Sequence, residues 1–502
     1  MKLNYIVFRL LIISILFGCN NQNKTLNLKD GLLIENGTII TSDSIETVHT
    51  FKGFVVLEGD SIVYVAKEKP TLTGNYIIKD ARNKYVIPGL IDSHVHVGHP
   101  VGISDADYEN KPELVEAYFD QLPKSYLYFG YTTLIDYDLK EQTKKRFNKS
   151  KIKPLLYGAG RGIRYFNGYG QTLFPKPLRY KIFPNWVFDE SQKGDLSEDI
   201  DFENHTVEKA VKKSLESNAI CIKTYYEDGF GGTFNWPVPS DSLLTELVTQ
   251  AHNNNLPVAL HSTSASAYKA GLKAGVDIFS HGLWHWKGEP LEANPTPEIH
   301  EILEQVALQK KYMQLTTRVL YGEYDDYTWE RINDIELPHV LPSILIKHLK
   351  TNEGQFAKRE ITETYNQLKP DKTISNETYF KFGIDKMNNV VKLAQKYGVK
   401  MIFGTDTPSA AGIGNAPGYN GFLEMQSLVK LGINLEEIFI ASTIRNARAF
   451  NLDKKIGSIT LSKVANLLIL NQNPLDNINA YNTIEQIIIK GKLIERNELV
   501  AK

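Results

Sequence analysis

Through the middle of the chain, short apolar runs alternate with longer amphipathic stretches, the pattern of parallel strand–helix units. Strands are expected at Val86–Ile91, Thr132–Ile135, Lys153–Tyr157, Ala219–Thr224, Pro257–His261, Asp277–His281, Tyr312–Thr317 and Lys400–Thr405. Eight such units would close into an α/β fold of the (β/α)8 TIM-barrel type. The two ends of the chain read differently. Gly31–Ile40, Ser44–Phe51, Phe54–Glu58, Ser61–Val65 and Tyr76–Asp80 are short alternating segments punctuated by Gly, Asp, Asn and Pro. A matching set returns at Ala465–Leu470 and Ile484–Lys490, with Gly491-Lys492 as a hairpin turn. Both ends are therefore expected to build one small β-sandwich, over 30–85 and 452–498, beside a barrel over 86–451.

Two connections are too long for plain loops. Gly158 to about Asn204 is rich in aromatic, Gly and Pro residues, and the stretch after Val319 carries YGEYDDYTWERIN followed by helical periodicity. Loops that follow barrel strands carry the chemistry, so both read as substrate-covering insertions; surface elaboration is the alternative for the second.

A length of 502 residues fits one large domain with a small companion, and 42% apolar with 23% charged residues is ordinary for a globular protein. Lys and Arg (57) almost balance Asp and Glu (58), with no basic block, which argues against a nucleic-acid surface. The expected partner is a small-molecule substrate, and a homo-oligomer is allowed for.

The amino terminus reads as a processing segment. Lys2 supplies the positive start, Leu10 to Phe17 is an apolar core too short to span a bilayer, and Leu16-Phe17-Gly18-Cys19 resembles a bacterial lipobox. Residues 1–19 are expected to be a lipoprotein signal peptide and 20–29 a polar linker. The protein would then be exported and anchored to a bacterial membrane, on the periplasmic or outer-membrane face, by a lipid on Cys19. Cys221 is the one other cysteine, so no internal disulfide framework is expected, and it reads as a small buried apolar residue.

Candidate chemistry clusters at the carboxyl ends of the expected strands. His94 and His96 close the run VIPGLIDSHVH, and alternate residues of a strand share a face, so both imidazoles aim into one space. Lys223 closes AICIKT, His261 closes PVALH, His281 closes GVDIFSH, and Asp406 follows MIFGT. Each has a bland alternative: a hydrogen-bonded structural histidine, a turn or cap aspartate, an exposed lysine. Those alternatives do not explain why all six candidates stand at one rim, where strand ends converge. His99 is read as a rim residue, and the remaining histidines as structural.

The set VIPGLIDSHVH, GYTTLID, CIKTYYE, ALHSTSA, AGVDIFSHG and IFGTDTP, with the tail from LVKLGINLEEIFIASTIRNARAF to VANLLILNQNPLDNI, resembles the amidohydrolase superfamily, and within it the imidazolonepropionase-like or prolidase-like metal-dependent hydrolases. The resemblance implies that His94, His96 and Asp406 bind one divalent metal, His261 and His281 a second, and that Lys223 bridges both as a carbamate formed with carbon dioxide. Zinc is the expected ion, one or two per chain. Asp406 is then also the expected general base. For substrate contacts, Arg161 and Arg164 in YGAGRGIRYF could pair an anionic substrate end or a loop carboxylate, and Tyr226 could donate to an oxyanion. The expected activity is cleavage of an amide-type C–N bond in a small substrate, such as a dipeptide or N-acyl amino acid, by a metal-activated hydroxide. The alternatives are a cyclic amide, lactone or ester in the same site, or a binding lipoprotein without turnover.

Overall fold

The computed structural model describes residues 25–195, 200–230, 234–286, 292–369 and 371–502. The expected signal peptide and Cys19 lie outside them. Strands β1 (Thr25–Ser42), β2 (Val48–Glu58), β3 (Ser61–Ala66), β4 (Thr71–Asp80) and β5 (Tyr85–Pro88) open the described chain. Residues 25–29, expected as linker, are already strand: their backbone pairs in parallel with Thr71–Gly74.

The chain then runs through β6 (Leu90–Val95), β7 (Tyr131–Asp136) and β8 (Leu155–Gly158), a short ribbon β9 (Arg164–Tyr165) with β10 (Trp186–Val187), and β11 (Ile222–Tyr225). After these come β12 (Val258–His261), β13 (Ile278–Ser280), β14 (Tyr312–Gln314) and β15 (Lys400–Ile402), and the chain closes on β16 (Leu467–Leu470), β17 (Ile484–Ile489) and β18 (Lys492–Glu495). The fold is α/β. Strands β6 to β8 form one parallel sheet and β11 to β15 another, each in sequence order, with helices in the connections.

The edges of these two sheets touch. Val95 bridges Thr407 in parallel, the Asp406 amide donates to the His94 carbonyl at 2.8 Å, and Ile163 bridges Thr224. Several strands end sooner than expected, for a local reason. His281 and Thr316 have left-handed backbones, φ 80° and 46°, which stop β13 at Ser280 and β14 at Gln314.

The two chain ends do share a sheet. It is eight-stranded and mixed, ordered β18-β17-β16-β5-β1-β2-β3 with β4 also on β1, so the elements expected as a sandwich are hydrogen-bonded into one continuous sheet. β5 pairs on one edge with β1 and on the other with β16, which joins amino- and carboxyl-terminal segments directly. Leu32, Ile34, Val55, Val86, Leu467, Ile469 and Ile488 pack on one face. The hairpin β17–β18 turns at Lys490 and Gly491, both with positive φ, the conformation that matches strand twist in a two-residue turn.

The second insertion is helical, with helices Arg318–Thr328, Leu337–Val340, Ser343–Leu349, Phe356–Leu368 and Asn376–Lys396 between β14 and β15. Among the described residues, no helix is long and apolar enough to cross a membrane.

Candidate metal centre

Strand β6 is held in place by a buried carboxylate. Asp92 accepts hydrogen bonds from the Thr405 hydroxyl (2.7 Å) and amide (3.1 Å), which fixes the end of β6 against the segment after β15. Burial pushes the Asp92 carboxyl up to about 7 against those bonds. The consequence is a fixed alignment of His94 and His96 with Asp406.

His94 Nε2 and His96 Nε2 each lie 2.9 Å from Asp406 Oδ1, and the ligand atoms of the three residues fall within 4.8 Å of one another. His281 Nδ1 is 3.9 Å from the other carboxylate oxygen, Oδ2. The imidazoles follow on from one another, with ring centroids 5.4 Å apart for His96 and His94, 5.1 Å for His94 and His281, and 4.6 Å for His281 and His261. His261 Nε2 is 3.3 Å from Glu227 Oε2, and the same oxygen accepts from the Thr263 hydroxyl. His281 and Asp406 both have left-handed backbones, φ 80° and 59°, an unfavourable conformation held by the surrounding structure.

Lys223 sits beside this row, 2% exposed, with Nζ 4.6 Å from the centre of the Tyr137 ring and 5.5 Å from that of Tyr225. Among the described residues its Nζ has no hydrogen-bond partner. Burial, with Arg164 adding to it, pulls its pKa down to about 7 although Asp406 pulls the other way. An unpaired buried ammonium is costly, so a large share of neutral amine is the physical outcome. Burial also takes His94 down to about 3 and His261 below its ordinary value. His96 goes the other way: burial opposes its charge, but the hydrogen bond to Asp406 outweighs it. For Asp406, burial resists ionisation, and the contacts with His94 and His96 nevertheless hold the carboxyl well below its ordinary range.

Two imidazoles and an ionised carboxylate at these separations are a donor set for a divalent cation. The orphaned Nδ1 atoms of His94 and His96 show that the protein's own hydrogen bonds do not saturate the cluster. A second cluster, Asp107, His348 and Glu353, has comparable spacing. There the Lys111 ammonium already lies 2.7 Å from each carboxylate, so the charge is met by the protein.

The residues expected to touch substrate divide. Arg161 is held by Asp138 at 2.6 Å and by the Ile182 carbonyl at 2.6 Å, so its charge is spent on a loop carboxylate. Arg164 is 8% exposed, with its guanidinium 3.4 Å from the centre of the Tyr225 ring and 4.6 Å from that of Phe183, and its Nε has no hydrogen-bond partner among the described residues. Tyr226 packs against the apolar core beneath the helices, while Tyr225 turns toward His261, ring centroids 5.8 Å apart. The reason is strand alternation: Lys223 and Tyr225 share a face and Tyr226 takes the other. Glu227 continues the face of Lys223 and Tyr225, as the alternation in CIKTYYE implies. His99 is exposed and stacks on His96 at 5.4 Å, on the rim.

A cavity of about 400 Å³ opens over the site. His261, His281 and Asp406 form its floor, and the insertion after β14 supplies much of its wall.

The amidohydrolase family profile matches residues 85–494. Solved structures of similar shape include a Xaa-Pro dipeptidase with bound methionine, 20% identical, TM-score 0.57, covering 93% of this chain and 100% of that one. A prolidase in complex with N-methylphosphonate-L-proline is 18% identical, TM-score 0.61, over 93% and 100% of the two chains. Ochratoxinase from A. niger is 18% identical, TM-score 0.63, over 93% and 96%. At these identities the likeness speaks to the fold. No curated protein matches in sequence. Over four-fifths of its length, then, the chain belongs to the amidohydrolase family, and it is a hydrolase acting on carbon–nitrogen bonds.

Proposed function

We propose that the chain cleaves an amide-type bond in a small substrate, a dipeptide or an N-acyl amino acid, at the mouth of a closed (β/α)8 barrel spanning about 86–451. The observation that carries the reading is the convergence of His94, His96 and Asp406 within 4.8 Å, from segments at opposite ends of that span. His94, His96 and Asp406 would hold one divalent ion and His261 and His281 a second, with zinc the ion suited to this nitrogen and oxygen set. Ions held there would supply Lewis acidity and an acidified water.

The chain's own residues do the rest. Lys223 gives up one proton to become a neutral amine, and its Nζ would then form a bond to the carbon of carbon dioxide and release a second proton, giving a carbamate that would offer two anionic oxygens to ions held there. Glu227 orients His261 through Nε2, and Thr263 steadies Glu227. Asp406, kept ionised, is the group that takes the proton from the attacking water and returns it to the departing amine. Arg164 acts from behind, as a buried cation that positions Tyr225, the tyrosine on the histidine side, to donate its hydroxyl to the oxyanion. We extend the proposal to location on the sequence alone, with export and a lipid anchor at Cys19.

A hydrolysis screen of the metal-loaded protein over dipeptides, N-acyl amino acids and lactones tests the reading, beside Asp406→Asn. Turnover of a dipeptide or acyl amino acid by wild type, lost in the variant, is expected; equal rates in both would overturn the assignment of Asp406.

A further inference from the structure

The cavity over the site carries a charge that the hydrolysis of an amide bond does not require. Glu323, on the helix Arg318–Thr328, faces a wall built by Trp284, Trp286, Tyr365, Tyr379 and Phe382. Its Oε2 accepts a hydrogen bond from the Tyr365 hydroxyl at 2.7 Å, a neutral donor. Among the described residues no lysine, arginine or histidine forms an ion pair with it. The other charged residue of the wall, Lys386, is engaged elsewhere, with Nζ 4.4 Å from the centre of the Trp286 ring and 4.9 Å from that of Phe382. A carboxylate in such surroundings is expensive unless a cation completes it. The cost is visible in the group itself, since burial, with Asp406 adding repulsion, pushes Glu323 up to about 7.

We propose that Glu323 and the aromatic wall around it form a subsite for a primary ammonium group of the substrate. A carboxylate gives that group a charge-assisted hydrogen bond, and ring faces beside it add cation–π attraction. The subsite sharpens the reading above, on which it rests: a substrate with a free amino group, such as a dipeptide, fits, and an N-acylated amino acid, whose nitrogen is neutral, forgoes the contact. Glu323 binds and does not touch the reacting atoms.

The test has a binding arm that needs no turnover. Metal-loaded wild type, Glu323→Gln and Tyr365→Phe are titrated with 2-phenylethylamine and with its neutral counterpart 2-phenylethanol, followed by the fluorescence of Trp284 and Trp286. Wild type is expected to bind the amine at least tenfold tighter than the alcohol. Glu323→Gln is expected to lose that preference while binding the alcohol within twofold of wild type, and Tyr365→Phe, which keeps charge and ring, to retain it. Equal binding of amine and alcohol by wild type, or a preference that survives in Glu323→Gln, overturns the subsite. A kinetic arm compares a dipeptide with its N-acetyl form: the free amine is expected to have the higher kcat/KM in wild type alone. Should wild type cleave neither, the proposed dipeptide or N-acyl amino acid substrate fails there, and the titration still decides the subsite.

Discussion

His96 Nε2 lies 2.9 Å from Oδ1 of Asp406, a residue 310 positions further along the chain. The backbone makes that meeting firm, since the His96 amide donates to the Thr407 carbonyl and the Asp406 amide to the His94 carbonyl, each at 2.8 Å. A carboxylate placed this way by main-chain bonds costs little reorganisation when a cation arrives. The following outcomes depend on it.

Asp406→Asn keeps the shape and removes the charge. Activity should fall by about 10²–10⁴-fold, the range for losing a general base, with lower metal occupancy. Steady-state kinetics and elemental analysis on the same preparation check both.

Glu227→Gln leaves His261 without an ionised partner. Burial disfavours the Glu227 charge, yet the bond to His261 holds its pKa down at about 2, so the native side chain is a carboxylate at neutral pH. Loss of such a partner should weaken metal binding by roughly 10–100-fold, read by competition with a chelator. An unchanged affinity would remove Glu227 from the site.

Lys223→Met replaces a buried amine by a side chain of similar reach. Thermal stability should hold or rise, because the unpaired Nζ is removed, while activity collapses. Wild type labelled with ¹³C carbon dioxide should show a carbamate carbon by NMR that Lys223→Met lacks.

Arg445 ties the terminal sheet to the helices before β16, donating to Glu46 at 2.8 Å and also to Glu437. Arg445→Ala takes from the nearly buried Glu46 one of its two close cations, Arg448 remaining at 2.6 Å, and should cost about 2 kcal/mol, the scale of a lost charged hydrogen bond, read by urea unfolding. The pH dependence has a definite sign. Burial raises Glu46, but Arg445 outweighs it and the folded-state pKa lies below the ordinary 4.5. Its stabilisation is therefore complete above about pH 4.5 and fades as pH falls through the folded value, and Arg445→Ala should flatten that slope.

The sequence revealed most where strand ends had to converge. His94, His96, Lys223, His261, His281 and Asp406 each follow an apolar run, and a rim of parallel strands brings such positions together whatever their separation. Tyr226 lies on the face opposite Lys223, so the contact expected of it falls to Tyr225, and Glu227, on the Lys223 side, stands two residues past the end of β11, where the alternation of a strand is no longer assured. Glu323 was out of reach: it sits on an insertion helix, and helical periodicity says which face is apolar, not which cavity that face closes. The terminal segments were legible as strands of one shared β unit, whereas their joining into a single continuous sheet depends on β5 pairing with both β1 and β16, long-range contacts that no local pattern encodes. Arg161 was ambiguous in the sequence because Asp138, its partner, lies on another loop.

The most direct measurement is anomalous diffraction at the zinc edge from crystals of the metal-loaded protein. The expected result is a peak between His94, His96 and Asp406, with any second peak beside His261 and His281. A peak at Asp107, His348 and Glu353 instead, or none among the four histidines, would contradict the metal centre on which the proposed hydrolysis depends.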